Sequence, residues 1–455
     1  MPKNFATPAR GPTGLAAAAA FVLATLPALA QQAPEAARAA EASCEQGRSL
    51  GHGLCGWAEL TVDAFGNVTG GVRRGAAADG QVWIGLNADL GALLGWDGWS
   101  AEVSAYGIYG RQPTATLVGS QAAVSNIEAL TTARLNELWL QRRVEGLGSI
   151  RFGQLALDTE FSVAAAAGNL ISGTFGWPVA LASALPAGGA AYPLPAPGVR
   201  LALGDPDGGT GVRAALTAGN PAGQYAPTTN PQAHNRYGTN FSTSGGAFGI
   251  IEGVTGAAAP EGSDGPRPWV AKLGAWYHNA GFDSQRYDSI GLSLADPDSN
   301  GTPKRYGNNY GGYGIVEAVA WRGEDANVNL FGRVYAAPPD TNLIALQVDA
   351  GLAWTGPFGR AADVLSLGVS QARVGSVARG LDRDMQSFGQ DRFLRTHETI
   401  IELNYNLSVV PDRFSVQPVV QWLMNPAARE PDERVSTVQP LGDAALIGVR
   451  LSLVF

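Results

Sequence analysis

The feature that most constrains the fold is an alternation of apolar and polar side chains with a period of two residues. In the final segment, residues 445–455, every odd position is apolar, whereas Arg450 and Ser452 lie on the other face. Because successive side chains of a β-strand point to opposite faces, such a segment predicts a strand with one apolar face. The same alternation recurs at residues 82–90, 346–354, 365–370, 401–409 and 414–422.

Two kinds of protein contain strands with one apolar face: soluble sandwiches and membrane barrels. Several apolar faces here end in an aromatic residue, namely Trp354, Tyr405, Trp422 and Phe455. Aromatic residues at the ends of apolar faces are typical of the girdles at a membrane interface. The opposite faces carry Glu, Asn, Gln and Arg, which suits a water-filled lumen. The sequence therefore predicts an all-β fold, a transmembrane antiparallel β-barrel.

The connections between strands also fit a barrel. Short links are predicted at 411–412 and 357–359, and long polar links at 221–244, 257–268, 282–310 and 378–397. Short periplasmic turns and long extracellular loops are usual in such barrels. At roughly 25 residues per strand the chain after the signal peptide holds about 16 strands, which leaves an aqueous channel. Pro418 requires a bulge, or a position where no ladder hydrogen bond is needed.

The N-terminus has the features of an export signal. Lys3 and Arg10 flank the start of an apolar stretch at 15–26, and Ala28-Leu29-Ala30 fits a cleavage site, so residues 1–30 are predicted to be a signal peptide. A membrane anchor is the alternative, although the stretch is shorter than the roughly 20 residues of a span. Residues 31–56 are predicted to be a periplasmic segment, followed by the barrel at 57–455.

The only two cysteines, Cys44 and Cys55, lie in this periplasmic segment. In an oxidising compartment they are expected to form a disulfide, with two free thiols as the alternative.

Composition and motifs argue against other functions. The net charge of −8 without a basic run argues against nucleic-acid binding. The chain has four histidines and no His-Glu-x-x-His motif, so neither an enzyme nor a cofactor is predicted. Residues 296–301 resemble the start of a calcium loop, but Gly307 replaces the required glutamate and no metal site is predicted. A soluble periplasmic sugar binder would alternate helices and strands, a pattern that is lacking here.

An ordered series of short motifs gives the chain a family resemblance. Between residues 136 and 200 these are Asn136–Leu140, Arg151–Leu155, Asp158–Phe161, Gly173–Pro178 and Ala191–Arg200. Downstream they are Leu273–His278, Gly281–Asp283, Gln285–Asp288, Ser293–Pro297 and Arg379–Asp384. The series resembles the carbohydrate-selective porin family of the OprB type over nearly all of the mature chain. The alanine-rich stretch Val163–Gly168 departs from the family pattern, which we expect to alter the lining near the narrow point.

The resemblance implies a 16-stranded barrel of the bacterial outer membrane, narrowed by inward-folded loops. It further implies passive diffusion of sugars such as glucose, with a general diffusion porin as the alternative. The expected partners are carbohydrate solutes, outer-membrane lipid and the barrel assembly machinery, because Phe455 resembles the C-terminal aromatic assembly signal. Whether the channel is a monomer or a homotrimer stays open.

Sugars need hydrogen-bonding groups and flat apolar surfaces along the lumen. Arginine offers a fixed fork of donors, carboxylates and amides exchange hydrogen bonds with hydroxyls, and aromatic rings cover C–H faces. The substrate-binding or pore-lining candidates are Arg73, Arg74, Glu137, Trp139, Arg151, Phe175, Trp177, Tyr192 and Arg200. For each arginine a structural salt bridge is the alternative, and for Trp177 the alternative is packing against the barrel wall. Arg450 is expected to face the lumen, and Asp382–Asp384 to form a solvated loop or a loop salt bridge.

Overall fold

An antiparallel sheet that closes on itself makes up most of the protein. The computed structural model describes residues 47–223, 230–258, 265–436 and 438–455. Its barrel strands are, in chain order, β1 (Leu54–Thr69), β2 (Gly75–Asp89), β3 (Trp99–Gly110), β4 (Thr132–Val144), β5 (Gly148–Leu155), β6 (Ala196–Gly204), β7 (Gly211–Ala218), β8 (Ala247–Gly256), β9 (Trp269–His278), β10 (Asn309–Arg322), β11 (Asn327–Ala336), β12 (Ile344–Thr355), β13 (Val364–Val374), β14 (His397–Val410), β15 (Phe414–Met424) and β16 (Ala444–Val454).

The barrel closes where the last strand pairs with the first. β16 runs antiparallel to β1, with Arg450 opposite Asp63. These 16 strands confirm the predicted number, and a barrel of this size leaves an aqueous lumen. A further short strand, Arg48–Gly51, pairs with the start of β1.

The start of the barrel lies close to the predicted boundary. β1 begins at Leu54, so Cys55 lies inside the first barrel strand. Cys44 and the predicted signal peptide lie outside the described residues. The disulfide and the cleavage site therefore stay predictions.

The period-two alternation corresponds to an outer and an inner face of the barrel. On β14, Leu403 is 47% exposed on the outside, whereas its neighbour Glu402 is 0% exposed and points into the barrel. On β12, Val348 and Asp349 divide in the same way. The predicted faces of these strands are confirmed. An apolar outer surface and a polar interior are what a lipid-embedded barrel requires.

Pro418 is accommodated without a bulge next to it. The pairs Asn404–Val419 and Leu407–Val416 keep the same register, and no pairing joins the two residues between them on each strand. Pro418 therefore lies at a gap in the ladder with β14, where its missing N–H is not needed, while it stays paired with Val449 of β16.

The strand connections differ in length between the two ends of the barrel. One end carries the chain termini and seven mostly short connections, which we call the short-turn end. The other carries eight, including the longest, at 111–131, 156–195, 219–246, 279–308, 375–396 and 425–443; this is the long-loop end. The link at 257–268 was predicted together with the long extracellular loops. The structure corrects its position, because this link lies at the short-turn end.

The connections contain the remaining regular structure. Among the described residues, the α-helices are α1 (Leu90–Leu94), α2 (Val179–Ala184), α3 (Pro231–His234) and α4 (Ser376–Ser387), and Thr114–Val118 forms a π-helix. Short 3₁₀ turns lie at Leu157–Thr159, Ala165–Ala167, Gly173–Phe175, Pro186–Gly188, Pro357–Gly359 and Pro426–Arg429. The strands Phe282–Asp288 and Pro303–Tyr306 form a separate hairpin. Within the described ranges, every helix is too short or too polar to cross a bilayer.

Exposed aromatic side chains cluster near both ends of the outer surface. Trp269, Trp321 and Phe455 lie at the short-turn end, and Tyr277 and Tyr310 at the long-loop end. Two such bands mark the interfaces of a membrane on either side of an apolar belt.

Candidate functional site

The loop between β5 and β6, residues 156–195, folds into the barrel, and we call it the inner loop. Its backbone N–H groups donate to carboxylates of the barrel wall at distances between 2.6 and 2.9 Å. A carboxylate that accepts several backbone N–H groups satisfies donors that would otherwise be buried without partners. The contacts join Ser162 to Glu252, Ala166 to Glu317, and Ile171 and Ser172 to the two oxygens of Glu402.

The alanine-rich stretch Val163–Gly168 lies against this wall. Ala164, Ala166 and Ala167 are buried, and Lys272 donates from Nζ to the carbonyl of Val163 over 2.8 Å. Small side chains let the loop backbone approach the strands closely. The departure from the family pattern therefore fits a tight contact between the inner loop and the wall.

Arg333 on β11 holds the middle of the inner loop. Its side chain is 0% exposed and its Nη2 lies 2.8 Å from the carboxylate of Asp349. The remaining donors reach loop carbonyls, with Nη2 to Thr174 at 3.0 Å and Nη1 to Phe175 at 2.8 Å. The donors of Arg333 are therefore divided between a carboxylate of the wall and carbonyls of the inner loop.

A second loop enters the lumen near the closure of the barrel. Glu398 on β14 accepts the backbone N–H groups of Gln121 and Ala122, at 2.8 and 2.7 Å. Arg450, which faces the lumen as predicted, pairs with Asp63 at 2.7 Å and donates to Asn126 at 2.6 Å. Two loops are therefore held inside the barrel by charged wall residues.

Two of the predicted arginines form the polar cluster at the inner loop. Arg151 and Arg200 are directly opposite each other on β5 and β6. Two like charges in this position repel each other, so a counter-charge is needed. Glu160 of the inner loop supplies it, with 2.7 Å from Oε1 to Nη1 of Arg151 and 2.7 Å from Oε2 to Nε of Arg200. Gln141 accepts from both arginines at 3.2 and 3.0 Å.

The cluster keeps some of its polar surface accessible. The side chains of Arg151 and Glu160 are 17% and 19% exposed. The guanidinium of Arg151 lies over the ring of Trp139, 3.9 Å from the ring centroid, and this stacking fixes its plane. Solute in the lumen can therefore reach both an oriented donor fork and a carboxylate acceptor.

Glu137 is part of the loop attachment. It is buried, and its Oε1 accepts the N–H of Ala156 at 3.1 Å, where the inner loop begins. Its predicted strand face with Trp139 is present, but its carboxylate is occupied by the loop backbone.

The aromatic candidates of the inner loop pack against protein. Phe175 is buried, and its ring meets that of Phe331 edge-on with 6.4 Å between centroids. Trp177 is partly buried and donates from Nε1 to the carbonyl of Gly188 at 2.9 Å. Phe175 therefore does not face the water of the lumen, as a pore-lining residue would. Its ring fills the space between the inner loop and the wall. Trp177 adopts the packing alternative.

Tyr192 ties the end of the inner loop to the neighbouring loop. Its hydroxyl donates to the carbonyl of Ile127 at 2.5 Å, and its ring meets Tyr106 at 5.2 Å. Its backbone N–H donates to Asp158 at 2.9 Å. Burial raises the pKa of Asp158 to about 6, although the N–H of Tyr192 acts in the opposite direction.

Arg73 and Arg74 lie apart from the cluster. Both are exposed in the link 70–74 at the long-loop end, and Arg73 donates from Nε to the carbonyl of Thr116 at 3.1 Å. They belong to the rim of the barrel, because the adjacent glycines form a turn between β1 and β2 rather than an inward loop.

Glu160 is the residue of this cluster that was not among the candidates predicted from the sequence. It lies in the family-like segment Asp158–Phe161, and the two arginines of neighbouring strands needed an acidic partner. The signal was present in the sequence, but only the position of the inner loop shows which of several acids meets them.

The turn at 296–301, which resembles the start of a calcium loop, is closed by a side chain of the protein. Asp288 accepts from Ser299 and from the backbone N–H groups of Leu292 and Asn300, so it closes the 296–301 turn itself. The part of the chain that is described contains no cluster of three metal-binding side chains. Asp382 and Asp384 form salt bridges to Arg395 and Arg286, as one predicted alternative has it, but both lie in α4 rather than in a loop.

Comparison with known proteins adds a family and a fold. The family described as "carbohydrate-selective porin, OprB family" matches residues 73–455. The high-pH structure of OprB from Pseudomonas putida is similar with a TM-score of 0.75 and 18% identity, covering 89% of this chain and 94% of that one. The OmpF porin of Salmonella typhi is more distant, with a TM-score of 0.47 and 9% identity over 88% of this chain and 97% of that one. The search of curated proteins gave no match.

Proposed function

Because this chain belongs to the carbohydrate-selective porin family of the OprB type, we propose that sugars cross its lumen past the cluster of Arg151, Arg200 and Glu160. The chain is a porin of the bacterial outer membrane, and its long-loop end is then the extracellular end. The single observation that carries the proposal is that two opposed arginines share one carboxylate of the inner loop. Within this cluster the side chains of Arg151 and Glu160 stay accessible.

The chemistry of this cluster suits a neutral polyol. The guanidinium of Arg151 donates to a hydroxyl oxygen, and the carboxylate of Glu160 accepts from a hydroxyl. Because each group already has a protein partner, a sugar exchanges hydrogen bonds rather than gaining them all. Binding is therefore weak enough for release, which gradient-driven diffusion requires. The channel uses no cofactor and no energy source.

A general diffusion porin without sugar preference would have the same barrel. The two functions are distinguished by the solute selectivity of the channel. Liposomes containing the purified protein are expected to swell faster in glucose than in a neutral amino acid of similar size. Equal rates for the two solutes, with Glu160→Gln leaving both unchanged, would remove the sugar preference from the proposal.

The proposed role is that of a channel rather than an enzyme. Residues 47–51 have the pattern Gly-x-Ser-x-Gly of a hydrolase nucleophile, but Ser49 lies in the short strand Arg48–Gly51 and not in a strand-to-helix elbow. The purified protein is expected to have no esterase activity towards a chromogenic short-chain ester, and Ser49→Ala to change nothing in sugar flux.

The proposed partners follow from this role. They are carbohydrate solutes in the lumen, lipid around the apolar belt, and the assembly machinery through Phe455, which is exposed at the end of the chain. Deleting Phe455 is expected to reduce the amount of protein that reaches the outer membrane. A homotrimer stays a prediction, and cross-linking in native membranes would test it.

A further inference from the structure

A basic pocket lies on the outer surface of the barrel at the extracellular end. It has a volume of about 250 Å³ and is lined by Gln371, Arg373, Val374, Arg379, Thr396 and His397. Arg373 and His397 are paired across β13 and β14, and Arg379 comes from the first turn of α4. Two strands and the helix above them therefore bring two arginines and a histidine together.

The pocket lies where the apolar belt ends. On β13 the outward residues Leu367 and Val369 are exposed and apolar, and the next outward positions are Gln371 and Arg373. Trp422 on β15, an exposed aromatic, lies opposite Ile401 of β14 on the same outer surface. The outward side chains of β13 thus change from apolar to polar and cationic at the level of the extracellular membrane interface.

The two arginines of this pocket have spare donors. Arg373 uses Nε for Gln371, at 2.7 Å, and its exposed guanidinium makes no other hydrogen bond or ion pair with the described residues. The Nε of Arg379 is buried and has no hydrogen-bond partner among the described residues. A buried charged donor without a partner is costly, so an acceptor from outside the chain is expected there.

The acidic residues near the pocket are already used. Asp382 is paired with Arg395 and Arg392, and Asp384 with Arg286. In the described ranges, neither Arg373 nor Arg379 takes part in any of the ion pairs that these carboxylates form. The pocket therefore carries a net positive charge that the protein does not neutralise.

We infer that this pocket binds a phosphate group of an outer-leaflet lipid head group. Two guanidinium groups are well suited to a phosphate, since their planar forks match its oxygens. The apolar belt directly below fits the acyl chains of the same molecule, which a free phosphate ion would not use. Basic pockets at the membrane boundary recognise lipid head groups in this way.

The test uses the purified full-length protein in detergent with a bisphosphorylated lipid A as the probe. Lipid A is expected to raise the unfolding temperature of the wild type, and native mass spectrometry is expected to show retained lipid. Arg373→Gln combined with Arg379→Gln should weaken the apparent affinity about tenfold or more, because two charge-assisted contacts are lost. Arg383→Gln, an exposed arginine on the same helix, is the matched control and should bind as the wild type does.

Three results would overturn the inference. They are an unchanged affinity in the double variant, an equal temperature shift with lipid A from which both phosphates have been removed, and an equal shift with inorganic phosphate at the same concentration. The last result would make the pocket a free-anion site. Arg373→Gln alone changes only an exposed side chain and carries the same test, with a smaller loss, if the double variant does not fold. A wild-type-like block of channel conductance by glucose verifies that the Arg373→Gln variant is folded.

Discussion

Arg151 and Arg333 are both arginines on the inner face of the barrel, and they have different tasks. The side chain of Arg333 is 0% exposed, and its donors go to Asp349 and to carbonyls of the inner loop. The side chain of Arg151 keeps 17% exposure and shares Glu160 with Arg200. The comparison teaches that the inner loop decides which wall residues become structural and which stay available to solute.

The largest effect is expected from removing Arg333. Arg333→Ala leaves Asp349 buried without its partner, which is expected to cost about 3–5 kcal/mol of unfolding free energy. Urea unfolding in detergent micelles, followed by tryptophan fluorescence, measures it. Arg151→Ala is the matched control, with an expected loss below about 1 kcal/mol because its pair is partly exposed. Similar losses in both variants would contradict the division of tasks.

The next effect concerns the attachment of the inner loop at Glu402. Glu402→Gln keeps one acceptor for the backbone N–H groups of Ile171 and Ser172 and replaces the other with a donor. We expect a loss of about 1.5–3 kcal/mol and a loop that opens more often. Single-channel recording should show larger conductance fluctuations than in Glu59→Gln, which changes a half-buried glutamate on β1. Quiet, wild-type-like traces would argue that the loop is held by other contacts.

A third effect is expected on ion selectivity at the cluster of Arg151, Arg200 and Glu160. Glu160→Gln removes the negative charge between Arg151 and Arg200, so the cluster becomes net positive. The ratio of chloride to potassium permeability is expected to rise by about twofold or more, since the charge acts in a confined lumen. Reversal potentials in a salt gradient measure the ratio. An unchanged ratio would place Glu160 away from the ion path.

The smallest effect is expected from a partly exposed pair at the long-loop end, Asp384 of α4 with Arg286 of the separate hairpin. Burial acts to raise the pKa of Asp384, but hydrogen bonds from Arg286 and Ser293 and the charge of Arg286 outweigh it and lower the pKa. The pair therefore contributes at neutral pH and is lost as the pH falls below about 4. The contribution is expected to be below about 1 kcal/mol. Unfolding temperatures between pH 7 and pH 3 should fall more steeply in the wild type than in Asp384→Asn, and parallel curves would exclude this role.

The strand faces were predictable because they depend on a local pattern. Glu402 and Leu403 differ only in the parity of their positions, and that parity is read directly from the sequence. The inward direction of Arg450 follows from the same pattern, whereas the number of strands came from the chain length and from the family resemblance.

The site was predictable only in part because the inner loop is not local. Arg151, Arg200 and Trp139 were candidates by residue type and family resemblance, but parity does not distinguish them from Arg333, which the loop covers. Phe175 has the residue type of a sugar-stacking ring, and yet its position against Phe331 buries it. Glu160 was missed because its partners are fixed by where the loop comes to rest.

The most direct measurement is the glucose concentration that blocks half of the single-channel current in a planar bilayer. If sugars pass the cluster, Arg151→Gln should raise that concentration about tenfold, because one charge-assisted hydrogen bond is weakened. Arg74→Gln, at the exposed rim, should leave it unchanged. An equal half-blocking concentration in the wild type and in Arg151→Gln would contradict the account.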